Sequence, residues 1–305
     1  MTGSSLAPGT LWPAILRATE RALESGALHP IETIRTTIED SGVNFLIRQV
    51  SSLARKEADQ PRHEAPAASS HKVNPFLPYD QELFVADLSE THLALLNKFN
   101  VIDHHLLIVT RRFESQEALL DLDDFNALFH CMAEFDGLGF YNGGVAAGAS
   151  QAHKHLQIVP LPLDESGPPV PIEALIAATC MEATVGAVPA LPFPHALARL
   201  EPLVATRPFE MARHAFDQYC ALLDATGLQA IDIDGEPHQS AAYNLLVTSR
   251  WMLLVPRLAE RVDGIAVNAL GFAGSLFVRD GTQMEAIRRL GPMNVLQRAA
   301  GITPI

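Results

Sequence analysis

Cysteine is scarce: Cys131, Cys180 and Cys220 are the three in a chain of 305 residues. They stand far apart and form no CxxC pair, which excludes a disulfide framework or a cysteine-based zinc site. Buried or half-buried free thiols of a reducing compartment are expected instead. No run approaches the roughly 18 apolar residues that span a bilayer. The opening "MTGSSLAPGTLWPAILRATERAL" has no basic stretch ahead of an apolar one, so no secretory signal is expected. Basic side chains are also short, 22 against 35 acidic, a net charge of −13. Such a surface repels nucleic-acid backbone and anionic lipid, so neither is an expected partner. A small anionic ligand remains compatible, because a local basic pocket dominates at short range. With 48% apolar and 19% charged residues, the chain reads as an ordinary soluble, cytoplasmic globular protein. It is long enough for one large α+β domain or two lobes.

Hydrophobic spacing predicts a helix over 11–26, ended by Gly26. It suggests a short second helix over 30–40 and a strand over 43–50. "RKEADQPRHEAPAASSHK", 55–72, reads as a mobile surface loop. A strand pair follows near 83–85 and 104–110. "DLDDFNALFHCMAEFDG" places Phe125, Leu128, Phe129, Met132 and Phe135 on one helical face. Residues 140–151, rich in glycine and alanine, are expected to form a turn, and 153–161 a strand. A loop over 164–171 precedes a helix over 172–183. A longer helix follows, with Phe209, Ala212, Phe216, Tyr219 and Leu223 on its apolar stripe and Gly227 as its cap. "SAAYNLLVTSRWMLLVPR" reads as two strands joined at Ser249–Arg250. The tail, 282–300, is helical with a break at Gly291–Pro292. Short strand groups mixed with helices argue for α+β with mainly antiparallel pairing, not for a doubly wound parallel sheet.

The chemistry concentrates in "GASQAHKHLQIVPLP". On a strand, His153, His155 and Gln157 share a face, exposed to a ligand, while Leu156 and Ile158 point to a core and Lys154 joins them near the edge. Three readings fit an isolated HxH. It can be a satisfied pair at a strand edge. It can bind zinc, but no third ligand stands in a matching motif and HExxH is absent. Or one imidazole can attack phosphorus, since neutral histidine is a good nucleophile near pH 7. "YNGGVAAGASQ", directly upstream, favours the last: its small residues let backbone N–H groups approach phosphate, and Ser150 and Gln151 add donors. Gly143 and Gly148 have P-loop spacing, but Ala149 replaces the lysine and a strand follows, so that motif is rejected. Gln157 has no proton to give, which suits a leaving group that is already a good anion.

These residues resemble the transferase branch of the histidine-triad superfamily, with its HxHxQ signature, and within it the ATP adenylyltransferases or diadenosine tetraphosphate phosphorylases. "HKVNPFLPYDQELFV", "LLNKFNVIDHHLLIVTRRFESQ", "YNGGVAAGASQAHKHLQIVPLP" and "AYNLLVTSRWMLLVPR" are similar to family segments in the family's order. The first seventy residues and 164–239 show little likeness. The resemblance implies a histidine-triad-like, mainly antiparallel sheet with helices packed on it and a C-terminal extension. It divides the chain into an N-terminal helical and strand region (1–71), a catalytic core (72–195) and a C-terminal region (196–305) completing the same fold. It implies reversible cleavage of diadenosine tetraphosphate by phosphate to ATP and ADP. His155 would be the covalent nucleophile, with His153 fixing geometry and Gln157 contacting the transferred phosphoryl group. Asn142, Gly148, Ala149, Ser150 and Gln151 would hold phosphates and ribose, and Lys72, Asn97 and Lys98 the distal nucleotide or polyphosphate. Asn244, Met252 and Arg257 would complete the site. Dinucleoside polyphosphate, ATP, ADP and phosphate are the expected partners. Magnesium accompanying the polyphosphate is compatible with this reading, and no protein-bound metal or organic cofactor is expected. A dinucleoside polyphosphate hydrolase of the histidine-triad type is disfavoured by Gln157 in place of a third histidine. Two alternatives stand, one sharing the HxHxQ logic and one of a different class. A hexose-1-phosphate nucleotidyltransferase usually has proline where this chain has Lys154. A non-catalytic nucleotide sensor would need no nucleophile.

Overall fold

Ser41 and Gly42 both take positive φ, 53° and 79°, the backbone a two-residue hairpin turn requires. They join β1 (Thr33–Asp40) to β2 (Val43–Val50), with Asp40 paired to Val43. The helix suggested over 30–40 is therefore a strand: Asp-Ser-Gly is a turn signal, and the β-branched residues before it fit a pleat better than a helix. The structure, a computed structural model, describes residues 7–51, 74–181, 183–200 and 208–301. Lys72 and the loop expected over 55–72 lie outside the described residues.

The centre is a nine-stranded, wholly antiparallel sheet. Its strands are β3 (Phe84–Asp87), β4 (His92–Leu96), β5 (Leu106–Thr110), β6 (Gly137–Gly143), β7 (His155–Pro160), β8 (Val185–Gly186), β9 (Ala196–Arg199), β12 (Tyr243–Val247) and β13 (Trp251–Pro256). They lie in the order β3-β4-β5-β7-β6-β12-β13-β9-β8. Expected neighbours β3 and β5 do not pair; β4, all of it buried, runs between them. Its lack of polar alternation hid it, since a strand covered on both faces reads as a plain apolar run. The turn expected over 140–151 is partly strand, because β6 continues to Gly143, and a 3-10 turn at 145–147 follows. β10 (Ala230–Ile233) and β11 (Glu236–Gln239) form an outlying hairpin, and β14 (Arg261–Val262) pairs with β15 (Ile265–Ala266).

One face of the sheet is covered by α1 (Leu11–Glu24), α2 (Leu122–Met132) and α4 (Pro208–Thr226), which bury Ile15, Phe125 and Tyr219 against Leu156, Ile158 and Leu245. Phe209, assigned to the stripe of α4, is 52% exposed because the packed face starts at Met211. The other face meets a second sheet, β1-β2-β16, in which β16 (Ser275–Val278) runs parallel to β2. It also meets α5 (Ala269–Phe272), α6 (Gly281–Leu290) and α7 (Pro292–Ala300). The helix expected over 172–183 shortens to α3 (Glu173–Ala177). Cys131 is buried, whereas Cys180 and Cys220 are exposed rather than half-buried. No helix among the described residues is long and apolar enough to cross a membrane.

Candidate active site

The ladder between β6 and β7 ends at the pair Phe140–Gln157. Beyond it the two strands are bridged by a side chain. Gln116 Nε2 donates to the carbonyls of Asn142 (3.0 Å) and His155 (3.2 Å), and its Oε1 accepts the His155 N–H (2.9 Å). One carboxamide thus supplies the donors and acceptor that the missing rung would have supplied, and it fixes the backbone of His155 where the sheet opens.

His155 borders a cavity of about 570 Å³ on the face of β4-β5-β7-β6 opposite α2. Its Nδ1 stands 2.8 Å from the His153 carbonyl oxygen. A carbonyl only accepts, so Nδ1 carries the proton and the lone pair lies on Nε2. No described residue hydrogen-bonds that Nε2. The ring is 4% exposed, not open on a strand face as expected from the sequence. Burial pushes its pKa down to about 4, so it is neutral at pH 7.

His153 does not border the cavity. Asn74 Oδ1 accepts the Phe76 N–H (2.9 Å), which leaves Asn74 Nδ2 to donate to His153 Nδ1 (3.0 Å). Nε2–H then donates to the carbonyls of Thr110 (2.9 Å) and Arg112 (3.0 Å). Fixed from both sides, His153 presents its own carbonyl to His155. The Phe76 ring packs 5.6 Å from His153 and 5.3 Å from His155.

Lys154, between the two histidines, points the other way. It is 1% exposed, and its Nζ lies 2.6 Å from Asp124 Oδ2, 3.2 Å from Glu114 Oε2 and 3.1 Å from the Leu119 carbonyl. Burial works against its charge, but Asp124, with Asp121 and Glu114, outweighs burial and raises the pKa. Asp124 is also the third residue of α2 and closes the capping box with Asp121. Its Oδ1 meets His92 Nε2 at 3.0 Å. One buried carboxylate therefore ties together the start of α2, strand β4 and the residue that leads into β7.

Of the residues expected at the site, His155, Gln157, Asn97, Lys98, Asn142, Gly148, Ser150 and Gln151 border the one cavity. Asn142 Oδ1 accepts from Asn244 Nδ2 and from the Ala269 N–H, both at 2.9 Å, so its NH2 is the group left for a ligand. Gly148 takes φ +91°, and a Cβ there would sit 2.9 Å from Asn268, so only glycine fits. The expectation that backbone amides of this loop bind phosphate is corrected at two positions. The N–H groups of Gly148 and Ala149 are spent on the carbonyls of Val145 (2.9 Å) and Gly144 (3.2 Å), closing the loop on itself, and Ala149 does not border the cavity.

Three further residues stand behind the wall. Met252 is wholly buried in the core on the helix-covered face, because its position on β13 points away from the cavity. Asn244 is fully buried, with Nδ2 on Asn142 and the Ala147 carbonyl and Oδ1 accepting from Arg257. Arg257 is 5% exposed and donates to the carbonyls of Ala259 (2.6 Å), Val267 (2.9 Å), Ala147 (3.3 Å) and Ala299 (3.3 Å). Its guanidinium also covers the Phe272 ring at 5.2 Å. Burial brings its pKa down to about 10, still charged at pH 7. Neither touches the cavity; both hold Asn142 and the glycine-rich loop in place. Residues given no role from the sequence also shape the site: Gln116, Asn74, Phe76 and His105, each inside a quoted segment, with His105 Nε2 3.0 Å from Gln157 Oε1.

A wholly antiparallel sheet carrying a neutral, cavity-facing histidine and a carboxamide two places on is a histidine-triad-like fold with an HxHxQ site. The chain belongs to the family defined by the Ap4A phosphorylase N-terminal domain, matched over residues 1–178, and the ATP adenylyltransferase C-terminal domain, matched over 189–301. The first seventy residues thus fall within the match, although no likeness was evident there. Similar curated proteins from Saccharomyces cerevisiae are diadenosine 5',5'''-P1,P4-tetraphosphate phosphorylase 2 and Protein APA1. The first is 28% identical over 247 residues, 72% of each chain. The second is 26% identical over 286 residues, 85% of this chain and 84% of the relative. The fold is that of the yeast Ap4A phosphorylase Apa2, with a TM-score of 0.76 at 23% identity over 98% of both chains. The same yeast protein solved with Ap4A gives 0.73 at 21% identity, covering 96% of this chain and 98% of the other.

Proposed function

We propose that this protein is an ATP adenylyltransferase that cleaves diadenosine tetraphosphate with inorganic phosphate, reversibly, to ATP and ADP. The observation that carries the chemistry is the His155 ring: proton on Nδ1, lone pair on Nε2, neutral at pH 7, at a cavity of nucleotide size. Nε2 attacks the α-phosphorus in line. The bond from that phosphorus to its bridging oxygen breaks, and ATP leaves with the electron pair. The imidazole becomes cationic as the P–N bond forms, and its Nδ1–H strengthens its hydrogen bond to the His153 carbonyl. A phosphate oxygen then attacks the same phosphorus. The P–N bond breaks, the pair returns to Nε2, and ADP is released.

Gln157 contacts the transferred phosphoryl group but has no proton to donate, so neither step relies on an acid at this position. That fits ATP and histidine, which both leave without one, and disfavours direct hydrolysis. Lys98 is the single lysine or arginine bordering the cavity among the described residues, and Asn142, Ser150 and Gln151 add neutral donors. Magnesium carried by the tetraphosphate would share in neutralising its charge, as part of the substrate. The free thiols fit a cytoplasmic setting, where ATP is abundant. Product analysis tests the reading. Diadenosine tetraphosphate with phosphate should give ADP and ATP in equal amounts, and omission of phosphate should stop turnover. Phosphate-independent release of AMP would refute it.

A further inference from the structure

Two asparagines in this site are built alike. Asn74 accepts the N–H of Phe76, two places on, and Asn97 accepts the N–H of Phe99 (3.3 Å) in the same way. Each turn leaves the carboxamide oxygen occupied and aims the NH2 at a histidine: Asn74 at His153 Nδ1, Asn97 at His105 Nδ1 (3.1 Å). The first histidine belongs to the HxHxQ motif. The second does not, and the mechanism above leaves it without a role.

Hydrogen-bond directions along this chain follow from its fixed end. The Phe99 N–H can only donate, so Asn97 Oδ1 accepts and Asn97 Nδ2 donates. His105 Nδ1 is therefore unprotonated, and the proton lies on Nε2. Nε2–H in turn donates to Gln157 Oε1 at 3.0 Å. With its oxygen engaged, the carboxamide of Gln157 has one orientation left, with NH2 in the cavity. No described residue takes a hydrogen bond from that NH2, and both His105 and Gln157 border the cavity.

We infer that His105 is a positioning residue: protonated on Nε2, it locks the Gln157 carboxamide so that its NH2, not its oxygen, faces the transferred phosphoryl group. This rests on the functional reading given above. A free glutamine presents either end at little difference in energy, and the oxygen end repels phosphate. A locked one offers a preorganised donor at the point where charge develops. His105 is 7% exposed, and burial pushes its pKa down to about 4, so the ring stays neutral and the lock holds across the working pH range. The Asn142 NH2 is set by the same logic from the opposite side, through Asn244 and Arg257. Both chains deliver a neutral donor to the cavity, which is how a strongly acidic protein can hold a polyanion with few cations.

The test has two arms on the full chain. In the first, His105→Phe, His105→Gln, Gln157→Ala and the double variant His105→Phe/Gln157→Ala are assayed with diadenosine tetraphosphate and phosphate, folding being checked by thermal melting. His105→Phe should lower kcat by about 10- to 100-fold with KM little changed, less than the roughly 100- to 1,000-fold for removing an oriented donor outright, because the Gln157 NH2 stays and only its orientation is lost. His105→Gln, which can still donate, should recover much of it. The double variant should be no slower than Gln157→Ala alone, because His105 acts through Gln157. Losses that multiply in the double variant would overturn the inference. The second arm is independent of turnover: nitrogen NMR of histidine-labelled wild type at pH 7 should show the His105 proton on Nε2. A proton on Nδ1 would overturn it even if every variant failed to fold. Absence of wild-type turnover with this substrate would refute the functional reading instead, and the NMR arm would still decide the hydrogen-bond chain.

Discussion

Replacing Lys154 by methionine separates structural from chemical roles within the HxHxQ motif. Lys154 lies between the two histidines, yet its Nζ contacts Asp124, Glu114 and the Leu119 carbonyl, all on the side away from the cavity. The substitution keeps the apolar stem and removes the charge. Asp124, which is fully buried, would keep His92 and the Asp121 N–H but lose its nearest cation at 2.6 Å. Breaking such a pair from one side costs about 3–5 kcal/mol. Spread over a chain of this size, at roughly 2.1 cal/mol/K per residue, that lowers Tm by about 5–8 °C. Adding Asp124→Asn should restore part of the loss, since the neutral amide no longer needs a cation. The assays are calorimetric and urea-induced unfolding of the single and double variants, with activity measured well below the lowered Tm. There the Lys154→Met enzyme should keep kcat within a few-fold of wild type. A stability change below about 1 kcal/mol, the range of an exposed pair, would refute the reasoning, because it would mean that water reaches Asp124.

His155→Ala should abolish turnover while the variant still unfolds cooperatively, because the lost ring faces a cavity; retained activity would exclude His155 as nucleophile. The acid limb of kcat/KM should lie near pH 4 rather than 6.5, since attack needs a neutral ring and burial has lowered its pKa to about 4. Stability moves in the same direction: between about pH 6.5 and 4 the unfolded chain binds a proton at His155 and His105 that the folded chain refuses. Unfolding at stepped pH should therefore show stability falling with acidification, by up to about 1.4 kcal/mol per pH unit for each ring. Lys98→Met should raise KM for diadenosine tetraphosphate roughly tenfold and weaken the salt dependence of binding, as read from initial rates at varied ionic strength. Gln116→Glu sets a carboxylate oxygen against the carbonyls of Asn142 and His155, and should cost about 1–3 kcal/mol in denaturant unfolding along with most of the activity.

Much of this site is legible in the linear chain because strand geometry is strict. Period two sends His155 and Gln157 to one face and Leu156 and Ile158 to the other, as observed. The hairpin from Tyr243 to Pro256, the helix from Leu122 and the break at Gly291–Pro292 were equally readable, each marked by local spacing or a turn residue. What could not be read depended on partners distant in sequence. β4 has no alternation because it is buried on both faces. Met252, Asn244 and Arg257 belong to a motif segment, but spacing along β12 and β13 does not say which residues touch the cavity and which hold those that do. Lys154 reads as an edge member of the core-facing side, and only the fold shows that α2 brings Asp124 beneath it. His105 and Gln157 are 52 positions apart and meet because β5 and β7 are neighbours.

Trapping the covalent intermediate tests the central claim most directly. Enzyme mixed with diadenosine tetraphosphate without phosphate, quenched under neutral denaturing conditions and digested, should yield one peptide carrying an adenylyl group on His155, and the mark should vanish when phosphate is added before the quench. An adenylyl group on another residue, or phosphate-dependent turnover in which His155 never carries one, would contradict the account.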